Sequence, residues 1–367
     1  MMIKKIYYIF ITCSVYLLWI NLDKGVYYNQ VNSISKDYNL SKPASEFDLI
    51  DDPIKPVVFN FSSDLLAFIH VQKTGGTPFE YVLTHDVIGA PICHCERIVK
   101  LVHTCICPRD VKSHSNDLSQ TWLFSRFNDK SHLCGIHPPF IWVRKCLPIW
   151  VKNLKLRKNY KKKWKSYIKS NAIEIKDGRI SGPGIDDNTM RKTNLERRSQ
   201  NWPKSYIVCH DGIIQQPDCY YKYTKNLTLM DFVSCNKSWS NNRMTRHFAD
   251  FPSIECNKSL TADQKDDLLL KNAKHNLLNG FQTFGIPEYF NESRFLSHKM
   301  LGLNFSWTYE FSNDTSWIES YQNVSDFIKK KIFYNNRLDI SLYAFARNLF
   351  QLRLKRYNYV LSGVPIN

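Results

Sequence analysis

Lys73-Thr74-Gly75-Gly76-Thr77 is the stretch whose residue types most plainly suit chemistry. Holding a phosphate-like anion takes inward-pointing backbone N–H groups, a helix N-terminus and a cation. The two glycines let the main chain approach closely, Lys73 supplies charge, and Thr74 and Thr77 supply hydroxyls. The stretch is too short for the nucleotide loop in which Gly-Lys-Ser/Thr follows four spacer residues. A bare Gly-Gly beside Thr also serves as an ordinary strand–helix turn. Its surroundings favour the anion reading. An apolar run over residues 65–71 precedes it, and Pro78, Phe79, Tyr81, Val82 and Leu83 follow in helical order, with Pro78 suited to a first turn.

A second cluster, Cys93-His94-Cys95 and Cys105-Ile106-Cys107, has the composition of a metal site but not its spacing. Both pairs are C-x-C rather than C-x-x-C, so disulfides are expected and no metal site. Setting aside Cys13, ten cysteines remain, an even number as a disulfide set requires.

The elements around these residues read as a mixed α/β chain. Residues 65–71 are expected to be a strand and 78–83 a helix, with 88–148 rich in loops. Helices are expected over 229–233, 241–250 and 260–280, a strand over 281–285, and a long helical region over 324–357. Residues 151–200 lack sustained periodicity. Residues 151–205 carry 16 Lys/Arg against 5 Asp/Glu, most of the chain's net charge of +17. This segment is expected to loop out of the domain rather than enter its sheet, since it disagrees with the pattern on either side. Such charge suits an anionic polymer.

The N-terminus sets the compartment. Lys4 and Lys5 precede an apolar run closed by Asp23 and Lys24. No small-residue cleavage site ends the run, which favours an uncleaved anchor with a cytoplasmic tail. The expected layout is a tail over 1–5, a transmembrane anchor over 6–22, a stem over 23–63 and a lumenal domain over 64–360 with an atypical basic insert at 151–200. The nine Asn-x-Ser/Thr acceptors all follow the run, as a lumenal glycoprotein requires. Together these features set aside nucleic acid as a partner of the basic segment.

Several ordered blocks resemble the heparan sulfate 6-O-sulfotransferases. Phe68-Ile69-His70-Val71-Gln72-Lys73-Thr74-Gly75-Gly76-Thr77 is similar to that family's 5′-phosphosulfate loop. Thr121-Trp122-Leu123-Phe124-Ser125-Arg126-Phe127 and Cys134-Gly135-Ile136-His137 resemble a second block. Asn241-Asn242-Arg243-Met244-Thr245-Arg246-His247-Phe248-Ala249-Asp250 and Asn279-Gly280-Phe281-Gln282-Thr283-Phe284-Gly285 resemble two more. The resemblance implies a P-loop-like sulfotransferase fold, with a central parallel sheet flanked by helices, in a single-pass type II Golgi membrane protein. It implies PAPS as co-substrate and the 6-hydroxyl of glucosamine in heparan sulfate as acceptor. Ile69, His70, Val71, Gln72, Lys73, Thr74, Gly75, Gly76 and Thr77 would hold the phosphosulfate, and Lys73 would stabilise the leaving oxygen. His137 would be the general base, and Arg126 and Trp202 would contact the sugar.

The departures are specific. His132 stands where the family has a substrate-contacting Trp, and His103-Thr104 replaces a lysine pair. Thr315-Ser316-Trp317 lacks the arginine of a late family loop. Between residues 150 and 200 the family's Arg-Asp-Pro … Ser-x-Arg-Tyr segment, which grips the 3′-phosphate of PAPS, has no counterpart. Either the protein has diverged and lost that grip, or intron read-through stands in place of an exon. The runner-up reading is a catalytically impaired, glycosaminoglycan-binding Golgi protein on the same scaffold.

Overall fold

The computed structural model describes residues 5–11, 51–71, 76–99, 102–109, 120–125, 139–152, 174–176, 179–181, 206–209, 212–215, 228–235, 238, 240–308 and 324–359. In chain order the strands are β1 (Lys5–Ile11), β2 (Asp64–His70), β3 (Val87–Ile88), β4 (His94–Val99), β5 (Val102–Ile106), β6 (Leu123–Phe124), β7 (Glu174–Lys176), β8 (Arg179–Ser181), β9 (Tyr206–Cys209), β10 (Gly212–Gln215), β11 (Thr283–Gly285) and β12 (Asn304–Phe305). The α-helices are α1 (Gly76–His85), α2 (Phe140–Lys152), α3 (Leu229–Ser234), α4 (Arg243–Phe248), α5 (Phe251–Cys256), α6 (Ala262–Gly280), α7 (Phe290–Leu301), α8 (Asp326–Asn335) and α9 (Arg337–Lys355).

The organising element is a four-stranded sheet of order β11-β1-β2-β6, parallel at every pairing. β2 is buried along its whole length, which is why its sequence is a continuous apolar run rather than an alternating one. Its side chains divide by parity. Leu65, Ala67 and Ile69 enter a core built with α2, α4, α5, α6 and α9, through residues such as Phe140, Phe248, Phe251, Leu277 and Phe350. Leu66 and Phe68 enter a second core with Phe79, Val82 and Leu83 of α1 and with Phe290 and Leu301 of α7. The sheet is thus the middle of three layers, as expected of an α/β domain flanked by helices.

The expected anchor over residues 6–22 is not shown. Residues 5–11 form β1, in register between β2 and β11, with Ile9 opposite both Phe68 and Thr283. Residues 12–22 lie outside the described residues, and no described helix is long and apolar enough to cross a membrane. The physical reason is an ambiguity in the sequence. A fully buried parallel strand and the start of a membrane span are both unbroken apolar runs, and Lys5-Ile6-Tyr7-Tyr8-Ile9-Phe10-Ile11 is rich in the β-branched and aromatic residues that strands favour.

Elsewhere the expected elements are present with shifted ends. The strand expected at 65–71 spans Asp64–His70, and the helix expected from Pro78 already begins at Gly76. The helix over 260–280 is present as α6, capped by a reciprocal Thr261–Gln264 box. The helix expected over 241–250 spans Arg243–Phe248, and a separate helix follows at Phe251–Cys256 with Pro252 in its first turn. The cysteine-rich stretch holds an antiparallel hairpin, β4–β5, pinned by Cys93–Cys107 and Cys95–Cys105. Of residues 153–200, those described form the two-stranded antiparallel sheet β7–β8, separate from the four-stranded one.

Candidate functional site at the carboxyl edge of the sheet

In an open parallel sheet, ligands bind outside the carboxyl ends of the strands. Here that edge carries His70 at the end of β2 and Val71 after it, Ser125 after β6 and Ile286 after β11. The described chain therefore leaves the sheet at this edge with Val71 and resumes at Gly76, where α1 begins. Four residues of the turn, Gln72, Lys73, Thr74 and Gly75, lie outside the described residues, as do Arg126, His132, His137 and Trp202. What the structure brings together is the frame around them.

That frame is tight. The side chains of Ile69 and Val71 are buried in the core, so their contribution to any ligand is through the backbone. Thr77, in the first turn of α1, is exposed. The His70 side chain is turned inward, with Nδ1 3.1 Å from Glu80 Oε2. The two groups share a hydrogen bond whose donor is set by the tautomer of His70 and the protonation of Glu80. The ring also lies against Gly76. A Cβ at that position would come within 2.9 Å of Nδ1 and 3.0 Å of Cε1, so only glycine leaves room for the ring where the helix begins.

α4 approaches the same region. Its free N–H groups are capped from α9 by Asp339. Thr245 donates both its backbone N–H and its hydroxyl to Oδ1 at 2.7 Å, and Met244 N–H donates to Oδ2 at 3.0 Å. Burial pushes the Asp339 carboxyl up, against the opposing pull of these bonds and of Arg246. Arg246 donates to the carbonyls of Ser238 and Asn241 at 2.9 and 2.7 Å and lies over the Phe251 ring. Burial lowers its pKa. His247 is buried, and its pKa is driven down to about 3 by burial first, then by the charge of Arg243 and of His70. It is therefore neutral at physiological pH, and its Nε2 has no hydrogen-bond partner among the described residues.

Two residues of this frame, Glu80 and His247, are absent from the sequence-based site. Glu80 had a signal. It sits four residues after Gly76 and one after Phe79, on the face of α1 that buries Gly76, Phe79, Val82 and Leu83. A carboxylate on that face calls for a partner. His247 had no comparable signal, because its neighbours come from elements distant in sequence.

A three-layer α/β unit with a glycine turn leading from a central parallel strand into a helix is an architecture that binds phosphate-like anions. No protein-family model matches the chain. Heparan-sulfate 6-O-sulfotransferase 3-B of Danio rerio is 28% identical over 330 residues, which is 88% of this chain and 72% of the relative. Heparan-sulfate 6-O-sulfotransferase 3 of Mus musculus is 28% identical over 312 residues, 83% of this chain and 61% of the relative. Heparan-sulfate 6-O-sulfotransferase 2 of Gallus gallus is 28% identical over 320 residues, 84% and 72% of the two chains. The fold is accordingly that of a sulfotransferase. By sequence the chain is similar to heparan-sulfate 6-O-sulfotransferases over most of its length.

Proposed function

We propose that the chain transfers a sulfo group from PAPS to the 6-hydroxyl of glucosamine residues in heparan sulfate. The observation that carries this reading is the glycine turn leaving the carboxyl end of a buried parallel strand and entering α1, in a chain related to sulfotransferases over most of its length. The 5′-phosphosulfate would lie against the backbone of residues 69–77, at the positive end of α1. His137 would take the proton from the sugar hydroxyl as its oxygen attacks sulfur in line. The sulfur–oxygen bond to the phosphate breaks, and PAP leaves with the electron pair. Lys73 would stabilise the negative charge growing on that bridging oxygen. Arg126, His132 and Trp202 would hold the acceptor chain.

The reaction would take place in the lumen of the Golgi. Disulfides such as Cys93–Cys107, Cys95–Cys105 and Cys209–Cys256 suit an oxidising compartment. Type II attachment through residues 6–22 belongs to the same reading, and it competes with β1, because one molecule cannot place residues 6–11 in a bilayer and in the sheet at once.

A second reading, a polysaccharide-binding protein without turnover, draws on the basic segment, which lacks the family's 3′-phosphate motif and whose described strands lie outside the main sheet. Calorimetry with PAP on the intact chain separates the two. Binding with sulfo transfer supports the enzyme, whereas heparin binding without PAP binding supports the second reading.

A further inference from the structure

We propose that His70 and Glu80 form a buried positioning pair that fixes the start of α1 in the orientation its anionic ligand needs. The proposal rests on the reading above only in taking PAPS as that ligand. Both side chains are shut away from solvent, His70 at 3% and Glu80 at 0% exposure, so their role is to place other groups rather than to touch the reacting atoms.

The geometry is a clamp. His70 is the last residue of β2, and Glu80 lies one turn into α1, so their bond closes the strand onto the helix across the whole turn. The ring also rests against Gly76, one turn before Glu80 on the same face of α1, where a Cβ would come nearest to the same Nδ1. The imidazole is thus packed on the main chain of the first helical residue and bonded to the carboxyl one turn later. The two contacts depend on each other. Losing the hydrogen bond at 80 loosens the ring, and adding a side chain at 76 displaces it.

Docking of α1 onto the sheet does not need the pair, since Phe79, Val82 and Leu83 already bury against Leu66 and Phe68. A buried carboxylate that is costly unless hydrogen-bonded is an expensive way to attach a helix that apolar residues attach already. What the pair adds is direction, because a hydrogen bond is directional and apolar contact is not. It sets where the amides at the head of α1 point.

The test is amide exchange in the full-length chain, read on the peptide covering residues 71–79 and, as control, on α9. In Glu80→Leu the exchange of 71–79 should rise roughly tenfold or more while α9 is unchanged, because local opening is separable from global unfolding. Glu80→Gln keeps an acceptor oxygen and should restore protection to within about threefold of the unsubstituted chain. Gly76→Ala, which leaves the pair's chemistry intact and displaces the ring, should reproduce the Glu80→Leu pattern, and it carries the test if Glu80→Leu does not accumulate as folded protein. Exchange of 71–79 that stays at the unsubstituted rate, or that rises equally in α9, overturns the proposal. PAP calorimetry on the same proteins keeps the two readings apart. An unsubstituted chain that ignores PAP defeats the PAPS reading and leaves the exchange result to decide the pair, whereas PAP affinity equal in Glu80→Leu and the unsubstituted chain defeats the pair alone.

Discussion

At the scale of single residues, the proposed chemistry makes separable demands. His137 would act only as the hydroxyl is deprotonated, so His137→Ala should lower turnover by ~10²-fold or more while PAP affinity is kept. Near-normal turnover would remove it from that role. Lys73 would contact the phosphosulfate before and during transfer, so Lys73→Ala should weaken PAP binding and slow the reaction together. Calorimetry beside initial rates checks both. His247 yields a prediction about stability. Its pKa is about 3 in the folded chain, against an ordinary histidine value of 6.5 when the chain is unfolded. Between these values the unfolded chain binds more protons, so the stability held at pH 7 is lost as pH falls from about 6.5 toward 3. Asp339, whose carboxyl is raised, contributes with the opposite sign, so the comparison must be between variants. Urea midpoints measured from pH 7 to pH 4 should fall less steeply for His247→Leu than for the unsubstituted chain. Parallel curves would mean that His247 is not buried in its neutral form.

At the scale of elements, β1 makes the sharpest claim. A proline within a central strand removes a ladder hydrogen bond. Ile9→Pro should therefore destabilise the fold, seen as a lower urea midpoint in the detergent-solubilised full chain. An unchanged midpoint would show that residues 5–11 serve the membrane and not the sheet. A second tie is the buried pair of Asp52 with Arg353, at 2.9 and 3.0 Å, which fastens the segment before β2 to α9. Asp52→Ala leaves that guanidinium buried without its counter-ion and should cost about 3–5 kcal/mol in the same assay.

These elements also show what the sequence could and could not tell. β2, the glycine turn and α1 were legible because a buried strand, a breaker and a helical apolar face follow one another over about twenty residues. α6 was legible for the same reason. The division of the helical region at 324–357 was not, because the apolar spacing runs through it. The break at Asn336 is set by distant partners. Asn336 Oδ1 accepts from Asn242 N–H at 3.1 Å, and Asn242 Oδ1 accepts from Leu338 N–H at 3.0 Å. β1 was read as a span because pattern cannot tell a buried strand from part of a longer apolar segment. Of the expected site, the frame was legible in the Gly-Gly turn. The clamp beneath it was not, since it joins residues ten positions apart on different elements.

At the scale of the whole molecule, passage through an oxidising, glycosylating compartment should leave marks that the fold distributes unevenly. Asn60, Asn257 and Asn304 are exposed. Asn291 is exposed as well, but it is held in α7, where its side-chain oxygen accepts from Arg294 at 2.9 Å, and the hydroxyl of its partner Ser293 is buried and bonded to Ile286 and Tyr289. Peptide mapping of the full chain produced in a eukaryotic host, before and after deglycosylation, should find glycans at the first three sites and little at Asn291. An unmodified chain would contradict the lumenal reading. The central claim is sulfo transfer, and it is tested most directly by incubating the purified full-length chain with PAPS and 6-O-desulfated heparin, followed by disaccharide analysis. The account predicts new sulfate on the glucosamine 6-hydroxyl with release of one PAP for each group transferred. Heparin binding with no PAP released and no new 6-O-sulfate would contradict it.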